Sequence, residues 1–143
     1  MAWRIVAVIG LLLATGTSAR AVDDQDFQLR SGADLVNLCS VSTDDPLRAP
    51  AIHMCHGYCV GVYQTLLALT TREKMKPLFC PPDPPPKRSE AIEHFVAWAK
   101  TKTEYQGEHP VDFIGRYLIE TYPCPKEAET PKSSKKSRGR SHS

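Results

Sequence analysis

Five cysteines, at positions 39, 55, 59, 80 and 124, constrain what this chain of 143 residues can fold into more than any other feature. A cysteine is a structural staple in an oxidising compartment and a metal ligand or nucleophile in a reducing one, so the address of the chain comes first. Arg4 places a positive charge near the amino terminus, Ile5 to Ala14 is apolar apart from Gly10, and Ala19-Arg20-Ala21 has the small-x-small form of a cleavage site. That pattern predicts a secretory signal peptide over residues 1–21, removed after Ala21. The apolar run falls short of the roughly 20 residues a helix needs to cross a bilayer. No second such run follows, so no membrane span is expected.

Beyond the leader, the charge divides the chain. Residues 22–125 carry ten Lys and Arg against fourteen Asp and Glu, a net of −4, whereas residues 126–143 carry six against two, a net of +4. The tail, KEAETPKSSKKSRGRSHS, has no apolar residue beyond Ala128. It cannot bury enough surface to offset the entropy of ordering it, so a disordered basic tail is expected. An exported address and a tail without aromatics argue against nucleic acid as a partner. Residues 22–125 are enough for one small domain.

That domain reads as short helices joined by turns. Ser31 and Asp34 form a capping-box pattern, and Leu35, Leu38 and Cys39 give the i, i+3, i+4 stripe of a first helix ending near Cys39. SVSTDDPLRAP is turn-rich. A longer helix is expected from about Ala51 to Glu73, with Cys55, Tyr58, Cys59, Val62, Leu66 and Leu69 on one face. Gly57 and Gly61 would weaken that helix in isolation, which suggests that another backbone approaches them closely. The five prolines of CPPDPPPKRS, Cys80 to Ser89, exclude regular structure and predict a stiff surface loop. Ser89 is expected to cap a third helix with Ile92, Phe95, Val96 and Ala99 inward. Pro110 suits the first turn of a fourth, with Ile114, Tyr117, Leu118 and Thr121 on one side and PCP closing it. No stretch alternates with period two and no internal repeat is present. The expected fold is therefore all-α, a small bundle of about four helices stapled by disulfides.

Each choice of unpaired cysteine leaves four that can be joined in three ways, and spacing alone does not choose among them. Position in the helices narrows the field. Cys55 and Cys59 sit four apart on one helix, with Cβ atoms about 5–6 Å apart, wider than the about 3.5–4.5 Å of a disulfide. Cys39 ends the first helix and Cys55 lies early in the second, so a bridge there would close an antiparallel pair. Cys80 and Cys124 both follow helix ends, and a bridge between them would hold the carboxyl end of the domain against the long helix. Cys39–Cys55 and Cys80–Cys124 are thus favoured, with Cys59 a free, buried thiol behaving as a small hydrophobe.

The stretch HMCHGYCVG, His53 to Gly61, invites other readings. Haem attachment needs C-x-x-C-H, and here the histidine is on the wrong side and the spacing one residue too long. Zinc needs about four ligands from paired knuckles, yet His94, His109 and His142 each stand alone, so neither a metal nor another cofactor is expected. No cysteine here is accompanied by a recognisable base, and no enzyme activity is expected. His53 and His56 read as solvent-facing or helix-packing side chains.

Taken as a spaced set, LVNLCS, CHGYCVGV, FCPP and HPVDFIGRYLIETYPCP resemble the Rap/Tai immunity proteins, which protect bacteria from amidase toxins of type VI secretion systems. The family pattern falls on Cys39, Cys55, Gly57, Tyr58, Gly61, Cys80, Pro82, Pro123 and Cys124. Cys59 stands where that family usually has an apolar residue. The resemblance implies a periplasmic helical protein with two disulfides, often a homodimer, that binds an imported peptidoglycan amidase and plugs its active-site cleft. Interface residues vary in such pairs, so the resemblance assigns no partner-binding residue. The loops most suited to enter a cleft are Pro81 to Arg88 and Thr103 to Pro110, and the acidic domain would suit a basic toxin. Two alternatives remain: a periplasmic structural or acid-stress chaperone-like helical protein, and a thiol-active carrier built on Cys59.

Overall fold

The computed structural model describes residues 20–73 and 75–125. The expected tail and nearly all of the expected leader lie outside them. Four helices carry the fold: α1 (Gly32–Cys39), α2 (Arg48–Arg72), α3 (Arg88–Lys100) and α4 (Pro110–Thr121). Single 3₁₀ turns at Asp26–Gln28 and Thr103–Tyr105 complete the elements, and no strand forms among the described residues. The architecture is an all-α bundle in which α1 packs on the other three helices.

The helix ends show which local signals count. Ser31 Oγ accepts from the Asp34 amide at 3.3 Å while Asp34 Oδ2 accepts from the Ser31 amide at 3.2 Å, so both halves of the capping box are made. α2 starts at Arg48, ahead of the Ala51 expected from periodicity. The cause is Asp45, whose carboxylate accepts from the Leu47 amide at 2.7 Å and whose carbonyl accepts from the Arg48 amide at 3.0 Å. Pro50 then falls in the first turn, where a helix has no use for the missing N–H. The expectation that Ser89 caps α3 is corrected: the N-cap is Lys87, and Ser89 lies inside the first turn. Extended backbone at the end of the proline run hands over to the helix at Lys87 (φ −61°, ψ 150°), two residues before a hydroxyl becomes available.

The core forms where the apolar faces meet. Leu35, Leu38, Ala51, Cys55, Phe79, Phe95, Ala99 and Phe113 are essentially sealed from solvent. Phe95 centres an aromatic cluster, edge-on to Phe113 at 5.8 Å and to Tyr117 at 5.3 Å. Ile114, Tyr117 and Leu118 face inward as the stripe predicts, whereas Thr121 is exposed and Phe113 takes a core position instead. Leu69, expected on the inner face of α2, is exposed near the helix end. Asp26 is a fully buried carboxylate, satisfied by the Asp23 amide at 3.0 Å and by Asn37 Nδ2 at 2.9 Å.

Close backbone approach occurs at a different glycine from those singled out by helix propensity. A Cβ on Gly57 or Gly61 would meet nothing within 4 Å, so no segment of the described chain crowds them. A Cβ on Gly32 would lie 2.7 Å from Phe113 Cδ1. The first turn of α1 can therefore seat against α4 only without a side chain there. Gly32 and Ala33 amides also donate to the carbonyls of Glu108 at 2.8 Å and Gln106 at 2.9 Å, which ties the α3–α4 connection to the start of α1.

Candidate functional site

The sulfur atoms settle into two bonds and one thiol. Cys39 and Cys55 are joined (S–S 2.08 Å), pinning the end of α1 to the first turns of α2. Cys80 and Cys124 are joined (S–S 2.07 Å), and the Cys80 amide donates to the Tyr122 carbonyl at 2.7 Å beside that bond. In the chain-entropy picture, bridges over 16 and 44 residues contribute about 3 and about 4 kcal/mol. Either is a sizeable share of a small domain's stability.

Cys59 is free and partly buried. Its Sγ lies within 4.8 Å of both Cys39 Sγ and Cys55 Sγ. Three sulfurs at that spacing could grip a soft metal only as thiolates, and two of them are bonded to each other. Desolvation pushes the remaining thiol up to about 12, which leaves very little thiolate at neutral pH. The same burial disfavours a thiol-active carrier. Of the other motif residues, Tyr58 packs against the core and Gly57, Gly61, Pro82 and Pro123 are exposed. His53 is exposed and His56 half-buried, and the pKa of His56 is lowered by desolvation first and then by the charges of Arg88 and His53.

The two loops suggested by sequence behave differently. Thr103 to Pro110 is committed to the body of the protein. Besides its bonds to α1, Gln106 Nε2 donates to the Ala99 carbonyl at 3.0 Å, and Glu108 Oε1 pairs with Arg116 at 2.7 Å. That guanidinium stacks over the Tyr105 ring at 4.0 Å. Of Pro81 to Arg88, Arg88 opens α3, and the rest makes no such ties to the body among the described residues and is held at its start by the Cys80–Cys124 bridge.

A broad depression lies where α4 meets α2 and the segment leading to Cys80. Leu66, Leu78, Val111 and Ile119 line it, with Glu108, Asp112, Glu120 and Arg116 also on its walls. Leu78, Val111 and Ile119 are large apolar side chains left 45, 38 and 46% exposed. A spacing of four residues along α4 puts Val111, Gly115 and Ile119 on one outward face. Glu120 is held below the usual carboxylate range by Lys102 and by the Trp98 indole, whose Nε1 donates to Oε2 at 3.0 Å. Arg116 pairs with Glu108 and Lys102 with Glu120, and the remaining carboxylate, Asp112, gives this surface a mildly negative sign. The α4 periodicity identified only its inner face. The outer one joins residues far apart in sequence and carried no local signal.

The described residues form a disulfide-stapled helical body with a surface of exposed apolar groups among carboxylates. Its family is equally plain: the Rap1a immunity protein family matches residues 31–124, and the chain belongs to it. No curated protein and no solved structure matches the chain.

Proposed function

We propose that this chain is a non-enzymatic periplasmic immunity protein that binds a peptidoglycan amidase delivered by type VI secretion and blocks its active-site cleft. Membership of the Rap1a immunity family suggests a role against secreted effectors, with a cognate effector toxin as the partner. Proteins of that family are generally non-enzymatic. Two disulfides favour an oxidising compartment, and no helix among the described residues is long and apolar enough to cross a membrane.

The observation that carries the binding role is the depression on the outer face of α4. Exposed apolar side chains gathered among carboxylates suit a partner with an apolar anchor and a basic surface. The stiff proline loop follows directly from Leu78 and Phe79 and supplies a projection for the cleft. A body already fixed by disulfides loses little further entropy on docking, which favours tight binding. The uncrowded Gly57 and Gly61 leave a bare strip on α2, and the homodimer implied by the resemblance would seat there.

The test uses the amidase-like product of a neighbouring reading frame, co-expressed with the full chain in the periplasm. Growth should be rescued by the natural sequence and lost with Ile119→Asp or Leu78→Asp. Lysis in the presence of the well-folded natural sequence would refute the pairing. Rescue by both variants would refute the surface.

A further inference from the structure

Beneath the proline loop, against the Cys59 and Tyr63 side of α2, the structure holds a second kind of site: a half-open cavity of about 280 Å³. Its floor is Phe95, Ile114, Tyr117 and Leu118, and Pro85 and Pro86 form part of its rim. It is nearly twice as large as the apolar cavity of about 150 Å³ that stays dry and takes up benzene. No carboxylate lines it, and Arg88 is the one charged residue on its wall.

Arg88 has no ion pair and no side-chain hydrogen bond among the described residues. It is also the first residue of α3, whose N-cap Lys87 makes no side-chain capping bond. The first bond of the helical ladder runs from the Ala91 amide to the Lys87 carbonyl at 2.9 Å, so the amides of residues 88–90 stand ahead of it. A guanidinium without a partner and an uncapped helix start therefore meet at the mouth of an apolar chamber. Both favour an anion.

We infer that this cavity binds a free single-chain amphiphile with an anionic head, of the chemical class of a medium-chain fatty carboxylate. The tail occupies the space among Phe95, Ile114 and Leu118, and the carboxylate sits between Arg88 and the start of α3. This site shares no lining residue with the depression on α4, so it stands or falls independently of the toxin reading.

Cys59 lines the cavity and provides a native reporter. The experiment adds decanoate, below the concentration at which it forms micelles, to the full oxidised protein. Binding is read by calorimetry, and the rate of Cys59 modification by a small thiol reagent is followed in parallel. Saturable one-to-one binding is expected, with Cys59 modified several-fold more slowly in the complex. Arg88→Gln, an exposed change that leaves the core intact, should weaken binding about three- to tenfold. Decanol should bind more weakly than decanoate. Equal affinity for decanol, or no effect of Arg88→Gln, would overturn the assignment of the head group. Absence of both heat and protection would overturn the site. Co-sedimentation with phosphatidylglycerol vesicles without binding of decanoate would show a membrane surface to be the ligand instead, and would equally overturn it.

Discussion

The Sγ of Cys59 lies within 4.8 Å of the Sγ of Cys39, although Cys39 is bonded to Cys55. One α1 cysteine thus has two candidate partners a helical turn apart on α2. Exchange needs no oxidant. The Cys59 thiolate would attack Cys39 Sγ, the Cys39–Cys55 bond would break, and Cys55 would leave as a thiolate and take up the proton that Cys59 gave up. Burial opposes this by holding the Cys59 thiol near 12. Native protein at pH 8 should therefore react with a thiol reagent at least about a hundredfold more slowly than an exposed cysteine. In mild denaturant at the same pH, alkylation and peptide mapping should find label on Cys55 as well as Cys59. Label confined to Cys59 in both conditions would show the second pairing to be out of reach.

The two bridges should differ in weight. Replacing Cys39 and Cys55 by serine should lower unfolding stability by about 3 kcal/mol, and replacing Cys80 and Cys124 by about 4 kcal/mol. Urea midpoints of the two double variants against the natural sequence give the order directly.

Glycines on the two faces of the bundle should respond with opposite sign. Gly32→Ala drives a methyl into Phe113, at 2.7 Å from Cδ1, and should cost about 1–3 kcal/mol. Gly57→Ala and Gly61→Ala meet open space within a helix and should each stabilise by about 0.5–1 kcal/mol. Thermal melts of the three single variants measure this.

Acid should weaken the fold through His56. Desolvation and the charge of Arg88 lower its pKa in the folded state, so just below its ordinary pKa of about 6.5 the unfolded chain binds the proton more readily. Stability should fall as pH drops through that window and be unaffected by this group above it. His56→Gln should flatten the dependence of the melting temperature between pH 7.5 and pH 5. An unchanged slope would assign it to other groups.

Removal of the leader after Ala21 would have a structural consequence at Asp45. The nitrogen of Val22, a buried residue, donates to Asp45 Oδ2 at 3.1 Å. As a new amino terminus it would be an ammonium facing that carboxylate. Intact mass of exported protein gives the cleavage site, and Asp45→Asn should lower the stability of the cleaved protein by removing that contact.

Much of the fold was legible because it is written in local signals. The Ser31–Asp34 box and Pro110 at the first turn of α4 act within a few residues of themselves. Elsewhere a competing local signal won at the starts of α2 and α3, and a long-range contact decided at Phe113. Asp45 started α2 early, the end of the proline run set the start of α3 ahead of Ser89, and Phe113 turned inward because Gly32 left room for its ring. The candidate surface lay beyond sequence reasoning for the last of these reasons. Leu78 and Ile119 become neighbours only after α4 has been fastened beside Cys80.

Titrating the oxidised protein into the cognate amidase, with cleavage of peptidoglycan peptides as the readout, tests the central claim most directly. Activity should fall in proportion to added protein and reach zero near one equivalent. Full cleavage at a tenfold excess would contradict the claim that this molecule works by blocking an active site.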